Sequence, residues 1–252
     1  MKSASDSLVI IPTYNEKENI AIIIEAVISL PNGFDILIVD DGSPDGTAEI
    51  VKGLQESLNK LAGKKLHLIQ RQGKLGLGTA YIEGFKYALQ NGYEFVLEMD
   101  ADFSHDPKDL VRLYKSCADD EQDLCIGSRY VTGVNVVNWP MGRVLLSYGA
   151  SAYVRFITRM PIQDTTAGFV CYRRKVLETL LLDEIRFVGY AFQIEMKFLT
   201  WKYGFKLQEI PIIFTERTRG QSKMSPGIFK EAFFGVMQMT IQSWFKKYNK
   251  AG

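Results

Sequence analysis

Two aspartates, Asp100 and Asp102, follow residues 96–99, which are apolar except for Glu98, and a single alanine lies between them. Such an apolar run has strand character, so the two carboxylates are expected at a strand tip and in the turn after it. Both can then converge on one hard cation. Mg²⁺ or Mn²⁺ held by one or two carboxylates usually keeps open positions for substrate phosphates. The pair therefore suggests chemistry on a nucleotide diphosphate, although an Asp-x-Asp sequence alone is more often a solvated turn.

A third metal ligand is not evident from the sequence. Ser104 stands two residues after Asp102, and His105 and Asp106 follow it. Because Mg²⁺ commonly keeps several water ligands, water can complete its coordination shell. Ser104 and water therefore both stay open as the third ligand.

Two further polar clusters follow apolar stretches nearer the N-terminus. Tyr14 and Glu16 come directly after Pro12. The Tyr14 ring can stack on a nucleobase or ribose, and Glu16 can accept hydrogen bonds from either. Asp40 and Asp41 form the second cluster, and only one of them is expected to face a ligand, because side chains alternate along a strand. Helix capping, with Thr13 or Asn15 as the cap, explains the first cluster equally well, and turn capping explains the second, so both interpretations stay open.

A glycine-rich segment, residues 73–79, precedes a predicted helix. Backbone of this kind at a helix N-terminus can hold phosphate. The segment lacks the GxxxxGK[ST] pattern of a P-loop, and it does not follow the first strand, as a dinucleotide fingerprint does. A tight turn is the favoured interpretation.

Cationic and hydroxyl side chains come later in the chain. Arg129 follows a predicted strand, and Arg143 and Ser147 are four residues apart in a predicted helix, so they share a face. Arg217 and Lys223 belong to a polar segment that we expect to cover a substrate as a mobile loop. Guanidinium groups suit phosphate oxygens because they donate two parallel hydrogen bonds. Taken singly, each of these cations is more often a surface residue.

The elements that must position these residues alternate between strand and helix in the first half of the chain. Strands are predicted over residues 8–11, 34–39, 66–70, 93–99 and 124–127, and helices over 16–29, after 46, over 79–90 and from about 107. Continuous apolar strands that alternate with helices predict an α/β fold with a mostly parallel sheet, covered on both faces. Ligands of such sheets bind beyond the carboxyl ends of the strands. The clusters at 40–41, 100–102 and 128–129 are therefore expected at one rim.

After residue 130 the alternation changes. Helices are predicted over 143–158 and 190–203, and strands over 166–173 and 206–214. We expect one catalytic domain, residues 1–225, followed by a C-terminal amphipathic helix, residues 226–252. That helix carries aromatic and aliphatic residues at helical spacing and lysines near its end. The pattern suits an anionic membrane surface, and it also suits docking on the protein's own core.

The composition excludes several classes of protein. The chain has 252 residues, of which 46% are hydrophobic and 23% charged, as expected of a globular protein with a large core. Its net charge of +1 gives no reason to expect a nucleic-acid partner. Three scattered cysteines without CxxC spacing predict buried thiols in a reducing compartment. No signal peptide or membrane-spanning stretch is predicted.

Six motifs together carry a resemblance to a known family. They are Pro-Thr-Tyr-Asn-Glu at 12–16, Val-Asp-Asp-Gly-Ser-Pro-Asp-Gly-Thr at 39–47, Gly-Leu-Gly-Thr-Ala-Tyr at 76–81, Asp-Ala-Asp-Phe-Ser-His at 100–105, Gly-Ser-Arg-Tyr at 127–130 and Arg-x-x-Gly-x-Ser-Lys at 217–223. In this order and spacing, from residue 9 to about 225, the chain resembles the family 2 glycosyltransferases of GT-A fold. The resemblance is greatest to the dolichyl-phosphate (polyprenyl-phosphate) mannose synthases.

The resemblance implies metal-dependent transfer of mannose from GDP-mannose to a polyprenyl (dolichyl) monophosphate, with inversion at the anomeric carbon. Because the acceptor phosphate is already anionic, no strong general base is needed, and catalysis would come from placement of charge. The motifs leave open the same reaction with UDP-glucose. A non-catalytic subunit that binds nucleotide sugar at a membrane is also left open.

Site residues carry over from the resemblance by position. The implied nucleotide-sugar site is Pro12, Tyr14, Glu16, Val39, Asp41, Asp100, Ala101, Asp102, Arg129, Arg217 and Lys223. The implied metal ligands for Mg²⁺ or Mn²⁺ are Asp100 and Asp102. The acceptor phosphate would meet Arg129, Arg143 and Ser147, and the implied catalytic groups are Asp102, Arg129, Arg217 and Lys223. The expected setting is peripheral, on the cytoplasmic face of a membrane, with an anchoring subunit as a further expected partner.

Overall fold

The computed structural model describes residues 5–60, 65–189, 191–217 and 227–249, with side chains from residue 233 onward in the last range. In chain order its strands are β1 (Ser7–Thr13), β2 (Asp35–Asp40), β3 (Leu66–Gln70), β4 (Phe95–Glu98), β5 (Leu124–Ser128), β6 (Val136–Val137), β7 (Val170–Arg173), β8 (Leu207–Pro211) and β9 (Phe214–Thr215). Its α-helices are α1 (Ile20–Ile28), α2 (Thr47–Leu58), α3 (Leu77–Asn91), α4 (Asp109–Ala118), α5 (Met141–Thr158), α6 (Arg174–Thr179), α7 (Ala191–Lys202) and α8 (Gly227–Phe245).

Seven strands form one sheet in the order β3-β2-β1-β4-β7-β5-β8. All neighbouring pairs are parallel except those of β7, which runs antiparallel to both β4 and β5. The carboxyl ends of β1, β2, β4 and β5 therefore lie on one rim, and the segment that leads into β7 joins them there. The prediction of an α/β fold with a mostly parallel sheet is confirmed.

Both faces of the sheet are buried. In β1, Leu8 and Ile10 belong to one apolar core and Val9 and Ile11 to the other. Helices α3 and α7 cover the first core, and α1 and α4 cover the second. Burial on both faces is the reason why the central strands are continuously apolar instead of alternating with polar residues.

Helix α1 begins four residues later than predicted. Asn15 has a φ of +56°, and the backbone N–H of Glu16 donates to the Thr47 hydroxyl. The Thr13 hydroxyl donates to Asp40, 2.9 Å away. The prediction that Thr13 or Asn15 caps this helix is therefore wrong, because the segment after β1 forms a turn held against the loop after β2.

The predicted strand over 206–214 divides into β8 and β9. Strand β9 leaves the large sheet and pairs with β6 in a two-stranded sheet. Next to this pair, the backbone N–H of Thr215 donates to the carbonyl of Ser104, 3.1 Å away. This short sheet carries the chain that follows it back to the end of β4.

Helix α8 packs on α5 and α7. The Tyr153 ring of α5 stacks on Phe233, with 4.6 Å between the ring centroids, and its hydroxyl donates to the Phe233 carbonyl. Val236, Thr240 and Ser243 form the buried side of α8. In the described parts of the chain, every helix is too short or too polar to cross a membrane.

The three cysteines come together in space, although they are scattered in sequence. Cys125 and Cys171 face each other across β5 and β7, and the Cys117 thiol donates to the Cys171 carbonyl. All three are buried free thiols, as predicted. They fill the core beneath α4.

Candidate active site

The end of β4 presents two carboxylates at the rim. The Asp102 side chain is 5% exposed, and its Oδ1 accepts the backbone N–H of Ser104. Phe103, which lies between Asp102 and Ser104, has a φ of +59°, a conformation that costs free energy in a non-glycine residue. This tight turn directs Asp102 back toward Asp100.

The electrostatics of Asp100 show that the two carboxylates share one space. Burial raises the pKa of Asp100 to about 7, and the nearby charge of Asp102 adds to the increase. Glu16, at the end of β1, raises the pKa further, whereas Arg217 and Arg129 oppose it. Residues from four parts of the chain therefore meet at this point of the rim.

The donor set at this point fits a divalent metal ion. Two carboxylates at a strand end, one of them with a raised pKa, leave negative charge that a cation would neutralise. Among the described residues no group of three or more His, Cys, Asp or Glu side chains is arranged to hold a metal. Asp100 and Asp102 would be the protein ligands, and oxygens of water and diphosphate would be the others.

His105 does not join the carboxylates. Its ring stacks on Phe169 at 4.6 Å and meets Phe214 edge-on. Burial lowers the pKa of His105 to about 4, so the ring is neutral at pH 7. It is a packing residue beneath the site.

Arg217 lies directly beside Asp102. Its Nη2 is 2.8 Å from Asp102 Oδ2. The preceding residue, Glu216, accepts two hydrogen bonds from Arg143 of α5, whose guanidinium lies 4.1 Å from the Trp139 ring centroid. The chain after β9 thus links α5 to the end of β4. Lys223, predicted to act with Arg217, lies outside the described residues.

Arg129 is fixed at the end of β5 by a buried carboxylate, Asp164. Its Nε and Nη2 donate to the two oxygens of Asp164 at 2.7 Å each, and its backbone N–H donates to the same side chain. Nη2 also donates to Thr166, and the guanidinium lies over the rings of Tyr130, Trp139 and Phe214. Although burial opposes ionisation, the charge and hydrogen bonds of Arg129 hold the pKa of Asp164 below its usual value. A fully ionic, bidentate pair fixes the direction of the guanidinium.

Ser147 lies on the same side of α5 as Arg143. Its Oγ accepts a hydrogen bond from the Tyr130 hydroxyl, 2.8 Å away. Tyr130 follows Arg129 directly. The three residues predicted to meet the acceptor phosphate are therefore linked through two aromatic side chains. Trp139 lies against both Arg129 and Arg143, and Tyr130 lies against Arg129 and binds Ser147.

The end of β2 meets the glycine-rich segment. Asp41 pairs with Arg71 at 2.8 Å and accepts the backbone N–H groups of Leu75 and Gly76. Asp40 is fully buried and binds Thr13 and Ser43. The segment is a turn, as predicted, and its backbone holds Asp41 in place.

The model of the family described as "Glycosyl transferase family 2" matches residues 8–181, which include the ends of β1, β2, β4 and β5. The chain belongs to glycosyl transferase family 2. It is a glycosyltransferase.

Two relatives cover nearly the whole chain. A polyprenol monophosphomannose synthase of Mycolicibacterium smegmatis is 45% identical over 94% of this glycosyltransferase and 87% of its own length. An undecaprenyl-phosphate mannosyltransferase of Micrococcus luteus is 42% identical over 91% of each chain.

Solved structures share the GT-A fold at low sequence identity. A glucosyl-3-phosphoglycerate synthase of Mycobacterium tuberculosis, in complex with Mn²⁺, UDP and glucosyl-3-phosphoglycerate, has a TM-score of 0.65 at 15% identity, covering 94% of this chain and 79% of that one. A mannosyltransferase of Pyrobaculum calidifontis, in complex with GDP-Man and Mn²⁺, has a TM-score of 0.55 at 16% identity, covering 96% and 76%. The predicted GT-A fold is confirmed.

The residues predicted to contact the nucleoside differ in how deeply they are buried. Pro12 and Tyr14 are partly buried at the end of β1, and Lys74 lies 5.1 Å from the Tyr14 ring centroid. Val39 and Ala101 are buried, one in each of the two cores.

Sequence reasoning missed Asp164 and Glu216 in this glycosyltransferase. Both are carboxylates that hold a predicted arginine in place. A signal for Asp164 was present, because an acidic residue just before an apolar strand that is buried on both faces needs a cationic partner. The sequence does not show that this partner is Arg129, because only the pairing of β5 with β7 brings the two side chains together.

Proposed function

We propose that this glycosyltransferase transfers mannose from GDP-mannose to a polyprenyl monophosphate, with inversion at the anomeric carbon. The observation that carries the proposal is the meeting of Asp100, Asp102, Arg129 and Arg217 at one rim. The names of the two relatives, a polyprenol monophosphomannose synthase and an undecaprenyl-phosphate mannosyltransferase, support both the sugar and the acceptor.

The donor would lie across the carboxyl ends of β1, β2 and β4. Tyr14 would stack on the nucleoside, and Glu16 and Asp41 would accept its hydrogen bonds. The Mg²⁺ or Mn²⁺ bound by Asp100 and Asp102 would neutralise the departing diphosphate. Arg217, already paired with Asp102, would donate to the diphosphate oxygens.

The acceptor phosphate would approach from the side of α5. Arg143 and Ser147 lie on one face of this helix, and Arg129 stands between them and the donor rim. The phosphate oxygen is anionic at neutral pH, so attack on the anomeric carbon needs no general base. This agrees with the placement of the two histidines, since the His105 ring packs against Phe169 and Phe214 and the His67 ring packs against Tyr87.

Two anionic substrates repel each other unless cations lie between them. Arg129 and Arg217 would supply this positive charge from opposite sides of the reacting atoms, together with the metal. Because Asp164 holds Arg129 rigidly, its charge needs little reorganisation during the reaction. Lys223 is proposed to act with Arg217.

A lipid acceptor implies work at a membrane surface, and exposed apolar side chains support this. On α5, Met141, Leu145, Leu146 and Phe156 are exposed, and on α8, Phe234, Met237, Ile241, Trp244 and Phe245 are exposed. The two helices pack together, and we call this set of exposed apolar side chains the α5–α8 face. Exposed apolar side chains gathered on packed helices are typical of an interaction site. We propose that it rests on the cytoplasmic face of a membrane, with or without an anchoring subunit.

The decisive experiment is turnover with defined substrates. Purified protein, GDP-mannose, MgCl₂ or MnCl₂ and a polyprenyl phosphate in detergent should give lipid-linked mannose, and EDTA should abolish it. Absence of product with GDP-mannose and with other nucleotide sugars would refute the proposal, and binding of nucleotide without turnover would indicate a non-catalytic subunit.

A second candidate donor is UDP-glucose. The structural neighbours include a synthase solved with UDP-glucose and Mn²⁺. Competition between GDP and UDP for binding, measured by calorimetry, separates the two. Tighter binding of UDP would favour a polyprenyl-phosphate glucose product.

A further inference from the structure

Helix α7 contains a charged residue where none is expected. Lys197 is 0% exposed, and residues 191–198 of the same helix are all buried. Lysine is almost never fully buried unless its ammonium group is paired. The Lys197 Nζ has three protein acceptors: the Ala167 carbonyl at 2.6 Å, the Gln193 carbonyl at 3.1 Å and the Gln193 side-chain oxygen at 3.2 Å.

Gln193 connects this lysine to β4. It lies one helical turn before Lys197, and its Nε2 donates to Oε2 of the fully buried Glu98. Glu98 is the last residue of β4, two residues before Asp100. A hydrogen-bonded path therefore runs from Lys197 to the strand that carries the predicted metal ligands.

Lys197 also holds the segment that fixes Arg129. Its acceptor, the Ala167 carbonyl, lies in residues 164–168, which precede β7 and contain Asp164. Asp164 binds Arg129 through both side-chain oxygens, and Thr166 accepts a further hydrogen bond from Arg129. A carbon placed on Gly168 would meet Gln193 at 3.8 Å, so this segment packs directly on α7.

Glu98 and Asp164 both lie close enough to Lys197 for their charges to act on it. The Lys197 ammonium group is thus linked to both halves of the rim, through Gln193 to Glu98 and through the Ala167 carbonyl to the segment that contains Asp164. Apolar side chains of similar size would fill the same space without the cost of burying polar groups. What apolar packing would not supply is a set of directed bonds that fixes the distance between the two halves.

We propose that Gln193 and Lys197 are positioning residues that hold the donor end of β4 and the Arg129-fixing segment 164–168 at a set separation for glycosyl transfer. The proposal rests on the proposed function, because the two anchored groups are those assigned to the donor and to the phosphates. Neither residue touches a substrate.

The expected signature is a loss in kcat without a matching loss in binding. If only the relative placement of the two anchors changes, each substrate still binds but the reacting atoms are misaligned. Misplacement by about 1 Å can cost on the order of a hundredfold in rate. Lys197→Met and Gln193→Met should each lower kcat at least about tenfold, with the KM for GDP-mannose and for polyprenyl phosphate changed less than about twofold.

Conservative and control variants separate positioning from stability. Lys197→Arg should restore part of kcat, because a guanidinium can still donate to the Ala167 carbonyl. Thr200→Val is the matched control, since Thr200 is equally buried in α7 and bonds only within the helix, to the Met196 carbonyl. Its kcat should stay within twofold of wild type. If Lys197→Met does not fold, Glu98→Gln with Lys197→Met removes both ionisable groups and allows the same measurement.

A fluorescence measurement tests the placement of Arg129 without turnover. Trp139 lies 5.7 Å from the Arg129 guanidinium, so Trp201→Phe with Trp244→Phe leaves a single tryptophan as reporter. In this background Lys197→Met should shift the Trp139 emission or its quenching by acrylamide, and Thr200→Val should not. An unchanged Trp139 signal, or equal losses of kcat in Lys197→Met and Thr200→Val, would overturn the proposal. A protein without transferase activity whose Trp139 signal still responds would refute the proposed function alone.

Discussion

Glu216 and Arg217 are adjacent in sequence but pair with side chains of two different elements. Glu216 accepts from Arg143 of α5, and Arg217 donates to Asp102 after β4. The two pairs tie the helix proposed to receive the acceptor phosphate to the strand end proposed to bind the donor.

Removing the charge of Asp102 should abolish turnover. Asp102→Asn keeps an oxygen for the Ser104 N–H but loses the negative charge needed for a metal and for Arg217. We expect kcat to fall at least about a hundredfold, the loss typical when a group that stabilises transition-state charge is removed. Calorimetric binding of GDP with Mn²⁺ should weaken in parallel.

The matched control for this change is Asp106→Asn. Asp106 is exposed in the same loop and caps the backbone N–H of Lys108. Its activity should stay near that of wild type. A folded Asp102→Asn protein with normal turnover would contradict the assignment of the metal ligand.

Arg143 should affect the acceptor and spare the donor. Arg143→Lys loses the paired hydrogen bonds to Glu216 and the flat contact with Trp139. We expect the KM for polyprenyl phosphate to rise about tenfold and the KM for GDP-mannose to change little, since a bidentate charged contact contributes on the order of 1.5–3 kcal/mol. Initial rates with each substrate varied in turn measure this.

Arg155→Lys serves as the comparison, because Arg155 lies on the same helix and donates to Gln163 instead of to the site. It should leave both KM values unchanged. If only the KM for GDP-mannose rises in Arg143→Lys, this arginine acts on the donor, and its assignment to the acceptor phosphate is wrong.

The Arg129–Asp164 pair should support folding as well as catalysis. Asp164→Asn leaves a buried guanidinium without its counter-charge, which typically costs about 3–5 kcal/mol. Urea unfolding at pH 7 measures this. Asp183→Asn, which breaks the exposed pair with Lys86, should change stability by less than about 1 kcal/mol.

The same pair predicts a pH dependence with a defined sign. Because Arg129 lowers the pKa of Asp164 in the folded protein, folding favours its ionised form. Its contribution is complete above the unfolded pKa of about 3.8 and is lost as the pH falls through the lower folded value. Wild type should therefore lose more free energy of unfolding than Asp164→Asn between pH 5 and pH 3. The difference between the two losses should correspond to the pKa shift of this one carboxyl group. Parallel curves would show that the pair does not titrate with unfolding.

The α5–α8 face should mediate membrane binding. Trp244 is 71% exposed and Phe245 is 85% exposed. Full burial of one large apolar side chain contributes about 1.5–3 kcal/mol, so Trp244→Ser with Phe245→Ser should weaken binding to anionic liposomes at least about tenfold. Flotation of the full chain with vesicles of phosphatidylcholine and phosphatidylserine measures the bound fraction.

Ile22→Ser is the control for this test, because Ile22 is an exposed apolar residue of α1, remote from α8 in sequence. It should float as wild type does. Charge reversal at Lys247, also exposed, should weaken binding more at low salt than at high salt, as screening predicts. If the Trp244 and Phe245 variant floats as wild type does, the α5–α8 face does not mediate membrane binding, and self-association is its remaining role.

The strands of this protein could be located closely from sequence. The prediction for β3, residues 66–70, matches the structure, and those for β1, β2, β4 and β5 differ by at most two residues at either end. A strand buried on both faces is apolar at most positions, and that composition is visible without any structure. The convergence of Asp41, Asp102 and Arg129 at one rim followed from the parallel order of their strands.

Other features depended on contacts between distant parts of the chain. The late start of α1 follows from the hydrogen bond between Glu16 and Thr47, and the division of residues 206–214 follows from the pairing of β9 with β6. Both contacts join segments far apart in sequence, so local patterns carry no trace of them.

The sequence by itself determined which residue types stand at the strand ends, because local apolar pattern and turn chemistry place them there. Only the tertiary structure decided which charge each one faces: Asp164 for Arg129, Glu216 for Arg143 and Asp102 for Arg217. The physical reason is that Coulomb attraction and hydrogen bonding act over a few ångströms in space, and the antiparallel insertion of β7 and the return of the chain through β9 set those distances.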